Sequence, residues 1–95
     1  MKPFDLVVVG ELLVDLLPSH RGPLSKTAHL EVHSGGAPAN VAVGLSRLGG
    51  RSAIISVVGD DQFGQLGIER LESDGVHCGA VRILAGEQTG LCFIT

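Results

Sequence analysis

Apolar and polar positions along this chain change period several times, and each change marks an element. Phe4 to Val9 is a short apolar run, β-branched toward its end and closed by Gly10, which predicts a strand buried on both faces. After Glu11-Leu12-Leu13-Val14-Asp15 the pattern changes, and residues 18–29, with Pro18, Gly22 and Pro23 among Ser, His and Arg, predict a polar loop. Leu30 and Val32 alternate with Glu31 and His33, the mark of a short strand with one wet face. Val41, Leu45 and Leu48 then fall at i, i+4 and i+7 with Ala42 beside them, one stripe of a helix. Pro38 suits its first turn and Gly49-Gly50 its end. Ser52 to Val58 predicts a second buried strand, and Asp60 and Asp61 cap a helix carrying Phe63, Leu66, Ile68 and Leu71 that Gly75 stops. Val81 to Leu84 and Leu91 to Thr95 predict two more strands around the turn at Ala85-Gly86-Glu87.

Strands alternating with helices in this order predict a parallel α/β unit with right-handed crossovers. Two long helices are few to cover both faces of a sheet, and the sequence stops inside the apolar run Phe93-Ile94-Thr95. Both features read as an N-terminal piece of a longer protein.

Composition narrows the class. With three Phe, no Tyr and no Trp among 95 residues, the core has to be aliphatic. The 14 glycines sit between apolar runs and point to tight turns rather than disorder. A net charge of −3 with no basic cluster argues against nucleic acid, whose phosphates need a Lys/Arg patch. The first apolar run is too short and too acidic for a signal peptide or a membrane span. Cys78 and Cys92 form no CxxC pair, which argues against structural zinc and for reduced thiols in the cytoplasm.

The most informative run is Gly35-Gly36-Ala37-Pro38-Ala39-Asn40-Val41-Ala42. It places two glycines where a loop enters a helix and one amide, Asn40, in the first turn. Such an end offers unpaired backbone N–H groups and partial positive charge, and glycine lets a ligand approach the main chain. Asp15 lies five residues after Gly10, just past the end of the first strand, where open α/β sheets bind their ligands. A carboxylate there can accept hydrogen bonds from two neighbouring hydroxyls. Glu11 can also face that crevice. His29 and His33 have a metal spacing only on a helix, and they flank a strand-like segment; His20 and His77 have no partner in the sequence. Neither a Walker loop nor a GxGxxG fingerprint is present, and Gly10-Glu11-Leu12-Leu13 lacks the residues of a phosphate loop.

The Gly35–Ala42 run resembles the N-terminal signature of the ribokinase-type (PfkB) carbohydrate kinases, most closely the fructokinase-like branch. The match extends from Val7-Val8-Val9-Gly10 through Gly49, Val57-Val58-Gly59-Asp60-Asp61 and Phe63-Gly64 to Thr89-Gly90. The resemblance implies a ribokinase-like three-layer α/β sandwich with a small β-strand lid. Residues 1–95 would be the incomplete N-terminal part of that domain, with core segments 1–15 and 35–79 and lid segments 16–34 and 80–95. It also implies that Asp15, Gly35, Gly36 and Asn40 bind the substrate. Cys92 would face the sugar from the lid, although a plain strand residue is the simpler reading. Leu13 stands where some relatives carry Asn, which fits the fructokinase-like branch better than ribokinases.

The activity implied is transfer of the γ-phosphoryl of ATP to a primary hydroxyl of a sugar or sugar acid, with Mg2+ bridging the phosphates. The general base and anion hole of the family come from a Gly-Ala-Gly-Asp motif near the C-terminus. That motif is not among these 95 residues. No catalytic or metal-binding residue is therefore expected in this chain, ATP and Mg2+ would be held mainly elsewhere, and the piece alone would be inactive. Fructose is the first expectation for the sugar and 2-keto-3-deoxygluconate the alternative. The family also implies a homodimer through the lid. From another class, a non-catalytic truncated copy would at most bind sugar or pair with a subunit. An unrelated nucleotide-binding module ranks last.

Overall fold

The computed structural model describes residues 3–94; Met1 and Lys2, expected in the core, and Thr95, expected in the last strand, lie outside them. The elements are β1 (Leu6–Val9), β2 (Leu13–Pro18), a 3-10 turn (Leu24–Lys26), β3 (Leu30–Gly35), α1 (Ala37–Arg47), β4 (Ser52–Gly59), α2 (Gln62–Ser73), β5 (His77–Leu84) and β6 (Leu91–Phe93). They form two three-stranded sheets. The first has the order β1-β4-β5 and is parallel throughout. In the second, of order β3-β2-β6, β2 runs antiparallel to β3 and parallel to β6.

β4 is the middle strand of the first sheet, and its alternation decides the core. Ile54, Ser56 and Val58 point to the helices, whereas Ile55 and Val57 point away and are 44% and 50% exposed. Ile54, Val58, Leu71, Val76 and Leu12 join Ala39 and Ala42 in one cluster. Burying each large aliphatic chain of this kind contributes about 1.5–3 kcal/mol. Among the described residues the helices cover this one face; Val7, Val9, Ile55, Val57 and Ile83 remain exposed.

Both helices end as expected. Beyond α1, Gly49 takes φ +92°, its N–H donates to the Ser46 carbonyl, and the Gly50 N–H donates to Leu45. Gly75 and Val76 repeat the arrangement on Glu72 and Leu71 at the end of α2. These are Schellman motifs, whose tight turn a φ-positive glycine permits.

Four expectations need correction. α1 buries Ala39 and Ala42, not the Val41-Leu45-Leu48 stripe; Val41 is 56% exposed and Leu48 86%. The small alanines let the helix lie close to β4, near enough for the Ser52 hydroxyl to donate to the Ala42 carbonyl at 2.8 Å. The break in pattern after Asp15 conceals a strand: Leu12, Val14 and Leu16 are buried while Leu13, Asp15 and Leu17 are half-buried. Apolar residues occupy both faces there, so no alternation is visible, and Pro18 lies beyond the last pair with β6, Leu16–Phe93, where β2 is an edge on that side. β2 belongs to the second sheet, which moves Leu13 to Asp15 out of the first. β5 starts at His77 rather than Val81, carried by pairing with β4 through an irregular register at Ala53/Ile55, so residues 80–84 lie in the first sheet. Of the segment 80–95, the described strand in the second sheet is Leu91–Phe93.

Candidate functional site

Three glycines bring the carboxyl end of β1, the start of β2 and the N-terminus of α1 together. A Cβ on Gly10 would fall 2.6 Å from Cγ of Pro38, so the end of β1 touches the first turn of α1 through bare backbone. Gly36 is the N-cap of α1 with φ +101°, and its α-carbon packs on the Glu11 carbonyl. An L side chain is strained at that φ and has no room there. No side chain caps this end of α1. Pro38 has no N–H and the Asn40 N–H donates to the Gly36 carbonyl at 2.9 Å, so the Ala37 and Ala39 N–H groups are those of this first turn without an intrahelical acceptor. Asn40 is exposed on the same first turn.

Asp15 occupies the middle of β2 and is half-buried. Its carboxylate lies over Gly35: a Cβ on that glycine would fall 2.8 Å from the carboxyl carbon, closer still to an oxygen. Asp15 and the Gly35-Gly36 loop are thus brought into contact, with Asn40 one helical turn beyond. Glu11 lines a crevice of about 340 Å³ between the two sheets, together with Leu12, Leu13, Val57, Gly90 and Leu91. That crevice opens at the carboxyl ends of β1 and β4, where open α/β sheets take their ligands.

Residues opposite one another on neighbouring strands share a face. Asp15 is opposite His33 on β3 and Cys92 on β6, so the three form one row across the second sheet. His33 and Cys92 are both exposed. The sequence offered no sign of the His33 placement, because it depends on β2 being a strand. Cys78, by contrast, is half-buried; desolvation and then the nearby Glu72 charge push its thiol up to about 11.

A second knot of polar groups adjoins the crevice next to Gly90, one of its lining residues. Asp61 caps α2, its Oδ1 accepting from the Gly64 N–H at 2.8 Å. It also accepts from the hydroxyl and the N–H of Thr89, at 2.7 and 2.8 Å. Those bonds from Thr89, ahead of the one from Gly64, hold its carboxyl below the ordinary carboxylate value. The capping role of Asp61 follows from its position before the helix; the grip on Thr89 crosses 28 residues and has no local signature.

Residues 4–95 match the model of the pfkB family of carbohydrate kinases. The chain belongs to that family. A protein described as an uncharacterized sugar kinase of Pyrococcus horikoshii is 45% identical over 86 residues, 90% of this chain and 28% of that protein. Its structure in complex with ATP matches with a TM-score of 0.88 at 44% identity, covering 93% of this chain and 29% of that one. Fructokinase-2 of Solanum habrochaites is 40% identical over 91 residues, covering 95% and 28%. The fructokinase structure of Halothermothrix orenii gives a TM-score of 0.85 at 34% identity, covering 94% and 32%. The chain therefore spans less than a third of the length of these relatives, and its α/β fold is that of the N-terminal part of a ribokinase-like kinase. No helix among the described residues is long and apolar enough to cross a membrane.

Proposed function

We propose that the protein carrying this chain transfers the γ-phosphoryl group of ATP to a primary hydroxyl of a sugar, fructose first, and that this chain supplies the sugar-binding side. The observation that carries the reading is the Asp15 carboxylate lying over Gly35 beside the uncapped start of α1. A carboxylate is an acceptor only, whereas the Asn40 amide both donates and accepts, so together they suit a ligand whose neighbouring hydroxyls do both. Glu11 is the charged residue of the crevice wall, and no Lys, Arg or His lines it. The 40% identity with Fructokinase-2 of Solanum habrochaites supports fructose over the sugar acid 2-keto-3-deoxygluconate.

In this reading the work of the chain is positioning. Asp15 and Asn40 orient the sugar, and Gly35 and Gly36 let it approach the backbone. The second sheet, as a lid, shields the reacting hydroxyl from water. The base that takes the hydroxyl proton belongs to the part of the protein outside this chain. Mg2+ bound with ATP would neutralise charge on the phosphates. Among the described residues no group of three or more His, Cys, Asp or Glu side chains is placed to hold a metal ion.

The exposed Leu30, Phe93 and Ile94 on and beside the edge strands of the second sheet support a homodimer through that sheet. The two free thiols fit a reducing, cytoplasmic setting.

The test is ATP-dependent phosphorylation by the complete gene product across fructose, 2-keto-3-deoxygluconate and ribose, with Asp15→Ala and Asn40→Ala as controls. Turnover of fructose that collapses in both variants is expected. Turnover of no sugar would contradict the kinase reading, and preference for the sugar acid would contradict the choice of fructose.

A further inference from the structure

Asp61 makes more bonds than a helix cap requires. One oxygen accepts from the Gly64 N–H, which is the cap itself. The bonds from the Thr89 hydroxyl and N–H serve the segment leading into β6 instead. The Thr89 oxygen in turn accepts from the Gly59 N–H at 3.0 Å, at the last residue of β4. Thr89 is 2% exposed and its bond from Gly59 is buried, while its two bonds to Asp61 are partly buried. The backbone is shaped for this contact from both sides. A Cβ on Gly59 would fall 2.6 Å from the Thr89 nitrogen, and one on Gly64 would fall 2.9 Å from its hydroxyl.

The next residue carries the consequence to the candidate site. The Gly90 carbonyl accepts from the Val14 N–H at 2.9 Å, and β6 then runs along β2 with Leu91 opposite Val14, Cys92 opposite Asp15 and Phe93 opposite Leu16. A strand of three residues forms too few ladder bonds to hold its own register. It is tied down on one side by Thr89 and on the other by the Ile94 N–H, which donates to the Leu16 carbonyl at 3.0 Å.

We infer that Asp61 is a positioning residue for the sugar site: through Thr89 it anchors β6 to the ends of β4 and α2, and so fixes the strand that flanks Asp15. The anchoring stands on the bonds above; its effect on sugar binding rests on the reading of Asp15 under Proposed function.

Two substitutions separate the anchor from the cap. Asp61→Asn keeps an oxygen for Gly64 but turns an NH2 group toward the Thr89 N–H, two donors face to face. Thr89→Val removes the hydroxyl at constant shape, and Thr89→Ser restores it. In the complete gene product, amide hydrogen exchange at Val14 and residues 91–94 is expected to quicken about tenfold or more in Asp61→Asn and Thr89→Val. The KM for fructose should rise about 5- to 50-fold while that for ATP stays within about twofold, and Thr89→Ser should recover most of both losses. Unchanged exchange in β6 would overturn the anchor. Faster exchange with an unchanged fructose KM, activity being lost only with the folded fraction, would overturn the positioning role. A wild-type protein that phosphorylates no sugar would sink the kinase reading instead, and exchange would still decide the anchor.

Discussion

The Asp15 carboxylate fills the space that a side chain on Gly35 would need. Gly35→Ala should therefore displace the carboxylate rather than merely crowd the loop. Because Asp15 is only half-buried, it can swing away at modest cost in stability. The expected outcome is a sugar KM raised about tenfold or more, with the ATP KM held within about twofold. Steady-state kinetics on the complete gene product check this. An equal fall in kcat at unchanged KM would contradict it.

Asp61 links stability to pH. Its carboxyl is lowered from 3.8 in the fold by the Thr89 and Gly64 bonds. A group whose folded value is depressed contributes stability that is complete above its unfolded value and lost as pH falls through the folded one. Denaturation of wild type and Asp61→Asn across the acid range should show the wild-type advantage constant near neutrality. It should shrink once pH drops below 3.8. An advantage independent of pH down to full acid unfolding would count against the carboxylate bonds.

The face of α1 that packs on β4 is its alanine face. Ala42 is fully buried, so Ala42→Leu should cost about 1–3 kcal/mol by overpacking. Leu48 is 86% exposed. Leu48→Ser should accordingly stay within about 0.5 kcal/mol of wild type. Thermal unfolding of the two variants distinguishes this packing from the stripe that the leucine spacing predicts.

The two thiols should differ in reactivity. Cys92 is exposed, whereas Cys78 is half-buried with its thiol pushed up to about 11 by desolvation and Glu72. At pH 8 the thiolate that reacts is scarce at Cys78. Alkylation followed by peptide mass spectrometry should modify Cys92 first. Saturating fructose should slow that modification if the Asp15–Cys92 row faces the sugar.

The parts of the fold legible in the sequence were those with local causes. Gly49 and Gly75 end helices because each takes a positive φ, Asp61 caps because it precedes a first turn, and β4 is an aliphatic run interrupted at Ser56. The Gly35–Asn40 run announced a helix start that invites a ligand, and α1 does begin there without a side-chain cap. What escaped notice depends on contacts distant in sequence. β2 shows no period because its outward face also carries Leu13 and Leu17. β5 extends to His77 only because β4 pairs with it, and α1 turns its alanines inward because β4 allows close approach. The Asp61–Thr89 grip and the His33–Asp15–Cys92 row exist only once the second sheet is assembled.

The central claim is that the Asp15 carboxylate holds the sugar, and calorimetric titration of fructose into the complete gene product tests it most directly. Hydrogen bonds to a charged acceptor are worth about 1.5–3 kcal/mol each. Asp15→Ala should therefore weaken fructose binding by about 10- to 100-fold or more, with ATP binding and the unfolding midpoint little changed. Fructose bound equally well by wild type and Asp15→Ala would contradict the account.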